Sequence, residues 1–345
     1  MPHAIPSSGT TIKNWILNQL QRSQSELISK LSQSRSNIHF AFDLWTSPNH
    51  WAFLGVVAHW MDHTLKVHST VLGLLRFRGR HTGENQAKHF LDIVKPYQIS
   101  EKIGHFTLDN ATNNDTALQS IAKYLEVLGI QFNPIEHRLR CFCHIINLTV
   151  KAFLWRTNSE AFEMEIDSHR ELHYETAELE ARRQKGPLGK LYNIITQITR
   201  LPQWRDPFEE KVIDALGSET TALALVLGNT TRWGSDYYAL TRAFDLREPL
   251  EEFVASAVRR NENGEHDGLP SSLQYDELSV TDWDTLRGII DILESFHHWQ
   301  LKLQQKEHFG QLHDIFSAMD ELLGHLEESK QLYELISRRH DTLHI

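Results

Sequence analysis

Apolar residues recur at two different periods along this chain, and the change of period divides it. From Ile38 to Leu44 they alternate. Ile38, Phe40, Phe42 and Leu44 share one face and Asp43 falls on the other, the two-residue period of a half-buried strand. Trp51 to Trp60, rich in Val, Trp and Phe, predicts a second strand. After the polar turn Asp62-His63-Thr64, Lys66 to Phe77 predicts a third, with Val67, Ser69, Val71 and Gly73 set against His68, Thr70, Leu72 and Leu74. Short turns between them favour an antiparallel meander. Ile103 to Leu108 predicts a short fourth strand ending at Asp109, and Ile135 to Cys141 a fifth.

Between and after these strands the period becomes helical. Thr10 to Leu31 carries Ile12, Trp15, Ile16, Leu20, Leu27, Ile28 and Leu31 mostly at three- and four-residue spacing, behind hydroxyls suited to capping. Thr82 is placed to cap a helix with Glu84 in its first turn and a stripe of Ala87, Phe90, Leu91 and Val94, stopped by Pro96. A helix from Asn113 or Asn114 carries Ala117, Ile121, Tyr124, Leu125 and Leu128, with Gly129 as C-cap. Another runs from His144 to Leu154.

Three strands, helix, strand, helix, strand, helix is an α/β order. A helix between the third and fourth strands allows a right-handed parallel crossover. It permits the first and fourth strands to lie side by side in a mixed sheet with flanking helices, which would bring Asp43 and Asp109 to one sheet end. Beyond Trp155 strand periodicity stops. Glu160 to Lys185 is dense in Glu, Arg and His and reads as a solvated helix. Leu188 to Arg200, Asp206 to Leu216 and Ser235 to Val258 read as helices, as do a segment capped by Thr281 running to about Gln305 and one from Leu312 to about Ser337. Residues 261–272 form a loop. The expected division is an N-terminal helix (1–36), a mixed-sheet core (37–155) and a mainly helical domain (156–345).

Composition narrows the function classes. The 345 residues are enough for more than one core. A net charge of −10 means that any nucleic-acid contact must come from a local basic patch or through metal ions. Cys141 and Cys143, the two cysteines, are one residue apart and argue against a disulfide framework. No apolar run approaches membrane-spanning length and the N-terminus has no signal-like pattern, so a soluble intracellular protein is expected.

Three constellations can carry chemistry. Asp43 and Asp109, each closing an apolar strand, can share one or two divalent ions, which activate water or a hydroxyl for phosphodiester cleavage; equally, an Asp at a strand end serves as a turn or cap residue. Cys141-Phe142-Cys143-His144 resembles a metal knuckle but offers too few ligands for tetrahedral zinc, which favours a buried strand-end cysteine and a helix-capping histidine. Arg232-Trp233 precedes a helix, where the pair can hold a phosphate and stack on a base, or Trp233 can anchor the helix in a core. Arg182, Arg183 and Lys185, and also Lys302 and Lys306, read as solvated faces. His81 reads as a loop residue.

Taken together and in order, these pieces resemble the hAT superfamily of DNA transposases. Phe42-Asp43-Leu44-Trp45-Thr46-Ser47 resembles the first-strand motif, and Val56 to Asp62 the next strand. Gly79-Arg80-His81-Thr82-Gly83-Glu84-Asn85 resembles the His-led helix start, and Thr107 to Asn114 the second acidic motif. Arg140 to Leu148 resembles the Cys-x-x-His motif, and Thr230 to Ser235 the Arg-Trp motif. The resemblance spans residues 10 to about 325.

It implies a ribonuclease-H-like fold interrupted by a helical insertion, with an Asp-Asp-Glu triad holding Mg2+. Asp43 and Asp109 match the two aspartates as catalytic and metal residues. Cys141, His144, Arg232 and Trp233 match residues associated with DNA near the cut. DNA is then the implied partner and the nucleus the implied location. No zinc finger precedes the core, and the match stops within the insertion. No glutamate near the end, Glu321 and Glu334 included, corresponds to the family's third acid, and no dimerisation region is matched. The expectation is a DNA-binding transposase-like protein without autonomous cleavage and strand transfer. The alternative is a repurposed, non-enzymatic DNA- or protein-binding module.

Overall fold

The computed structural model describes residues 8–47, 49–155, 176–200, 202–217, 225, 234–262, 271–304 and 312–342. Contacts divide the chain into two compact units, Met1–His144 and Ile145–Ile345.

In the first unit, α1 (Gly9–Ser32) leads into β1 (Ile38–Thr46), β2 (Ala52–Met61) and β3 (Val67–Arg76). Helix α2 (Gly83–Val94), β4 (Ile103–Leu108), α3 (Thr112–Val127), β5 (Arg138–Arg140) and the start of α4 (Phe142–Trp155) follow. The five strands form one mixed sheet in the order β3-β2-β1-β4-β5. The meander β1-β2-β3 is antiparallel, and β4 and β5 add parallel to it. The alternation seen in the sequence is the alternation of burial. Ile38, Phe40, Phe42, Leu54, Val56, Ala58 and Phe106 are buried on one face, where Phe40 and Phe106 pack against Phe90 of α2 with ring centroids 5.2 Å apart in each case. Thr82 caps α2 as expected, its hydroxyl accepting from the Asn85 N–H at 3.3 Å.

Helices α2 and α3 touch at Gly83. A Cβ on that residue would lie 2.4 Å from the Asn113 carbonyl oxygen and 2.6 Å from the Ala117 nitrogen. Only a residue without a side chain lets the two helix starts approach this closely.

The expected fifth strand, Ile135 to Cys141, shrinks to Arg138–Arg140. The Asn133 side-chain oxygen accepts from the backbone N–H of Ile135 and Glu136. This turn displaces the first half of the alternating run, and Ile135 is left exposed.

The second unit is helical in its described residues: most of α4, then α5 (Thr176–Arg183), α6 (Pro187–Arg200), α7 (Pro202–Leu216), α8 (Ser235–Asp245), α9 (Arg247–Glu262), α10 (Val280–Gln304) and α11 (Leu312–Thr342). Its core gathers Trp155, Leu191, Ile195, Trp204, Leu240, Phe253 and Trp283. Helix α4 ends where the sequence placed the domain boundary, but the contacts assign residues from Ile145 onward to this second unit.

Three local expectations change here. Ser235 to Val258 is two helices, because Pro249 lacks an N–H and its ring would clash with a preceding turn; it sits instead in the first turn of α9. Ser279, one residue before α10, caps that helix in place of Thr281. Its hydroxyl accepts from the Asp282 N–H at 3.1 Å while the Asp282 carboxylate accepts from the Ser279 N–H at 3.0 Å. Arg183 is no solvated charge: its Nε and Nη2 each donate to Asp276, both at 2.8 Å, and Asp276 is fully buried. Lys302 lies over the Trp299 ring at 4.1 Å. Lys306 lies outside the described residues.

Candidate metal and nucleic-acid site

The parallel pairing of β1 with β4 sets the geometry. Ala41 is level with Thr107, and continuing two residues along each chain brings Asp43, still paired with Gly55 and three residues before the end of β1, level with Asp109, just past the end of β4. Their charges interact. Desolvation by neighbouring protein atoms raises the Asp43 pKa, the Asp109 charge raises it further, and a hydrogen bond with the Leu44 backbone opposes both. Two like charges brought together in this way favour a cation between them. Both donors are carboxylate oxygens, so the set suits a hard divalent ion such as Mg2+. Among the described residues no group of three or more His, Cys, Asp or Glu side chains is arranged to hold a metal.

Asp109 is held by its surroundings. Its carboxylate accepts from the Ala111 N–H at 3.0 Å and from the Asn114 side-chain amide. Asn114 is itself buried in the first turn of α3. From behind, Arg138 Nη2 donates to the Asp109 carbonyl at 2.9 Å and the same guanidinium pairs with Asp115. Arg140, exposed on β5, donates to the Asn110 side chain at 3.2 Å, which sets a cation beside the aspartates. Sequence reading took Asn114 only as a helix start and gave Arg138 no role. Both contacts depend on the fold, and the 28 residues between Asp109 and Arg138 carry no local pattern that would announce them.

Cys141 follows β5, its N–H donating to the Leu108 carbonyl at 2.8 Å. Its thiol pKa is lowered to about 7, first by a hydrogen bond from the Cys143 thiol and then by the backbone N–H groups of His144 and Cys143. Burial and the Asp109 charge oppose the shift. The same pairing, with burial, drives the Cys143 thiol upward. The residue at the start of α4 is therefore Cys141 rather than the expected capping His144, which lies half-buried in the first turn. Cys143 is buried, and both thiols are free. His81 is exposed in the loop before α2. Its carbonyl accepts from the Asn113 side chain at 2.9 Å and its ring packs edge-on to Phe77. Arg232 and Trp233 lie outside the described residues. Asp109 thus interacts electrostatically with both Asp43 and Cys141, and His144 lies in the first turn of α4.

Residues 41–131, which include both aspartates, match the ZBED1 RNase-like domain model. Over 325 residues, 93% of this chain, 27% are identical to a putative transcriptional regulator, tpeD, of Talaromyces stipitatus. A putative AC transposase of Zea mays is 28% identical over 152 residues, 44% of the chain. The zinc finger BED domain-containing protein RICESLEEPER 1 of Oryza sativa subsp. japonica is 20% identical over 317 residues, 87% of the chain. The chain spans 36%, 19% and 38% of the respective lengths of these relatives. The mixed sheet read from periodicity fits the RNase-like domain match, and that match together with the transposases among the relatives supports a hAT-type, transposase-derived protein.

Proposed function

We propose that this protein binds DNA at the carboxyl edge of β1, β4 and β5, with a divalent cation held by Asp43 and Asp109 against a backbone phosphate. The observation that supports this reading is the parallel pairing of β1 with β4, which carries Asp43 alongside Asp109 so that their charges interact, with Arg140 bound to the neighbouring Asn110. When bound, a cation such as Mg2+ supplies charge neutralisation and an acidified water. The chain's own contribution is orientation. Asn114 and the Ala111 N–H fix the Asp109 carboxylate, and Arg138 fixes the loop that carries it. Cys141 and His144 lie at the start of α4 next to this edge and contact the DNA strand; Arg232 and Trp233 are assigned to DNA binding by the family resemblance alone. A nuclear location follows from this role.

Two carboxylates without a third ligand bind a metal weakly. In this proposal the chain by itself therefore does not complete cleavage and strand transfer. A second reading, a DNA- or protein-binding module that uses no metal, is favoured by the absence of a third His, Cys, Asp or Glu near the pair among the described residues.

A Mg2+- or Mn2+-dependent nicking assay on double-stranded DNA, with Asp43→Ala and Asp109→Ala, separates these readings. Binding that strengthens with the cation and weakens in both variants, without nicking, is expected. Nicking abolished by both changes would overturn the proposed incompetence, and unchanged cation-independent binding would favour the metal-free module.

A further inference from the structure

Helix α1 presents an apolar face that nothing among the described residues of its own unit covers. Ile12, Trp15, Ile16 and Leu20 are 43%, 52%, 62% and 58% exposed. At 3.6 residues per turn they form one stripe. Lys13 borders that stripe on the Leu20 side and Arg22 on the Trp15 side, both exposed. The helix carries Lys13, Arg22 and Lys30 against the single acid Glu26.

The second unit contains the complementary surface. A groove of about 570 Å³ has Leu250, Val254 and Trp283 among its lining residues, together with the acids Asp214, Glu248 and Glu277. Its other acids are already engaged: Glu251 with Arg247 at 2.8 Å, and Glu252 with Lys211 and Arg259. Asp214, Glu248 and Glu277 are exposed and form no ion pair among the described residues. Trp283, only 1% exposed, has an indole N–H without an acceptor among those residues. A volume of this size accepts a few large apolar side chains, and acids beside it repel phosphate and attract a basic segment.

We propose that this groove takes the basic, apolar-striped α1 of a second copy of the chain. Trp15 and its aliphatic neighbours enter the groove, and Lys13 and Arg22 reach Asp214 and Glu277. The contact joins two different patches, α1 of one copy and the groove of another, and closes as a two-fold pair only if it is made reciprocally. It produces either a reciprocal pair, in which each α1 fills the other copy's groove, or a growing series. Four side chains bury less than a standard interface does, so the association is weak.

Sedimentation velocity on the full chain across roughly 1–100 µM, the range a small interface reaches, tests this. Wild type should shift from monomer to larger species. Lys13→Glu/Arg22→Glu and Asp214→Lys/Glu277→Lys should each weaken self-association at least tenfold, and mixing these two opposite variants should restore association between them. All four positions are exposed, and circular dichroism checks that each variant folds; Trp15→Ser disrupts the same face without altering charge if a charge-reversed chain does not. A wild-type chain that stays monomeric, variants that associate like wild type, or a mixture that stays monomeric overturns the proposal.

Discussion

Replacing Gly83 with Ala tests how the first unit positions its aspartates. By helix propensity alone the change should help, by up to about 1 kcal/mol. The structure predicts the opposite sign. The new Cβ would sit 2.4 Å from the Asn113 carbonyl oxygen, 2.6 Å from the Ala117 nitrogen and 2.6 Å from the Thr116 Cβ. Backbone atoms of a helix cannot rotate aside, so α2 and α3 must part by about 1 Å to restore ordinary contact distances. Overpacking of this kind costs about 1–3 kcal/mol, and parting the helices also strains the Asn113–His81 hydrogen bond, worth about 1 kcal/mol. Against the propensity gain, the net loss is about 1–3 kcal/mol, or roughly 3–10 °C in the melting temperature of a unit this size. Calorimetry with Gly288→Ala as control makes the comparison internal. Nothing lies within 4 Å of a Cβ at Gly288, so that helix position should gain about 0.5–1 kcal/mol. A Gly83→Ala protein melting at or above wild type would refute the reasoning.

Two further predictions concern buried polar groups. Asp276→Ala strands Arg183 and the Asn193 amide, which donates to Asp276 at 3.0 Å, and urea denaturation should show a loss of about 3–5 kcal/mol; a loss below about 1 kcal/mol would contradict the buried pair. His39 Nδ1 accepts from the His105 N–H at 3.0 Å, at an irregularity in the β1–β4 pairing, and its ring stacks on His105 at 5.4 Å. Burial, followed by the charges of His105 and His137, lowers the His39 pKa. The folded state therefore resists protonation: the associated stability is complete above the unfolded value of about 6.5 and is lost as pH falls through it. His39→Asn, whose side-chain oxygen can replace Nδ1 as acceptor, should flatten the decline in unfolding free energy between about pH 6.5 and 5; an unchanged slope there would show that His39 is not its source.

The sheet was legible because β1, β2 and β4 bury one face each, so period and burial coincide there. The placement of Asp43 beside Asp109 followed from one crossover helix and one parallel pair. What escaped reading depended on distant partners or on a single backbone feature. Ile135 to Cys141 alternates by composition, yet the Asn133 side chain turns its first half out of the sheet. Arg183 sits among Arg182 and Lys185 in a charged stretch, and only the fold reveals the fully buried Asp276 that binds it. Asn114 and Arg138 shape the site through contacts that arise only once β4, α3 and β5 are assembled.

The central claim is that Asp43 and Asp109 act as one cation site, and Mn2+ binding to the intact chain, followed by electron paramagnetic resonance, tests it most directly. Wild type should titrate a weak site that both Asp43→Asn and Asp109→Asn abolish, while circular dichroism shows each variant folded. Folded variants that bind Mn2+ with wild-type stoichiometry and affinity would contradict the claim.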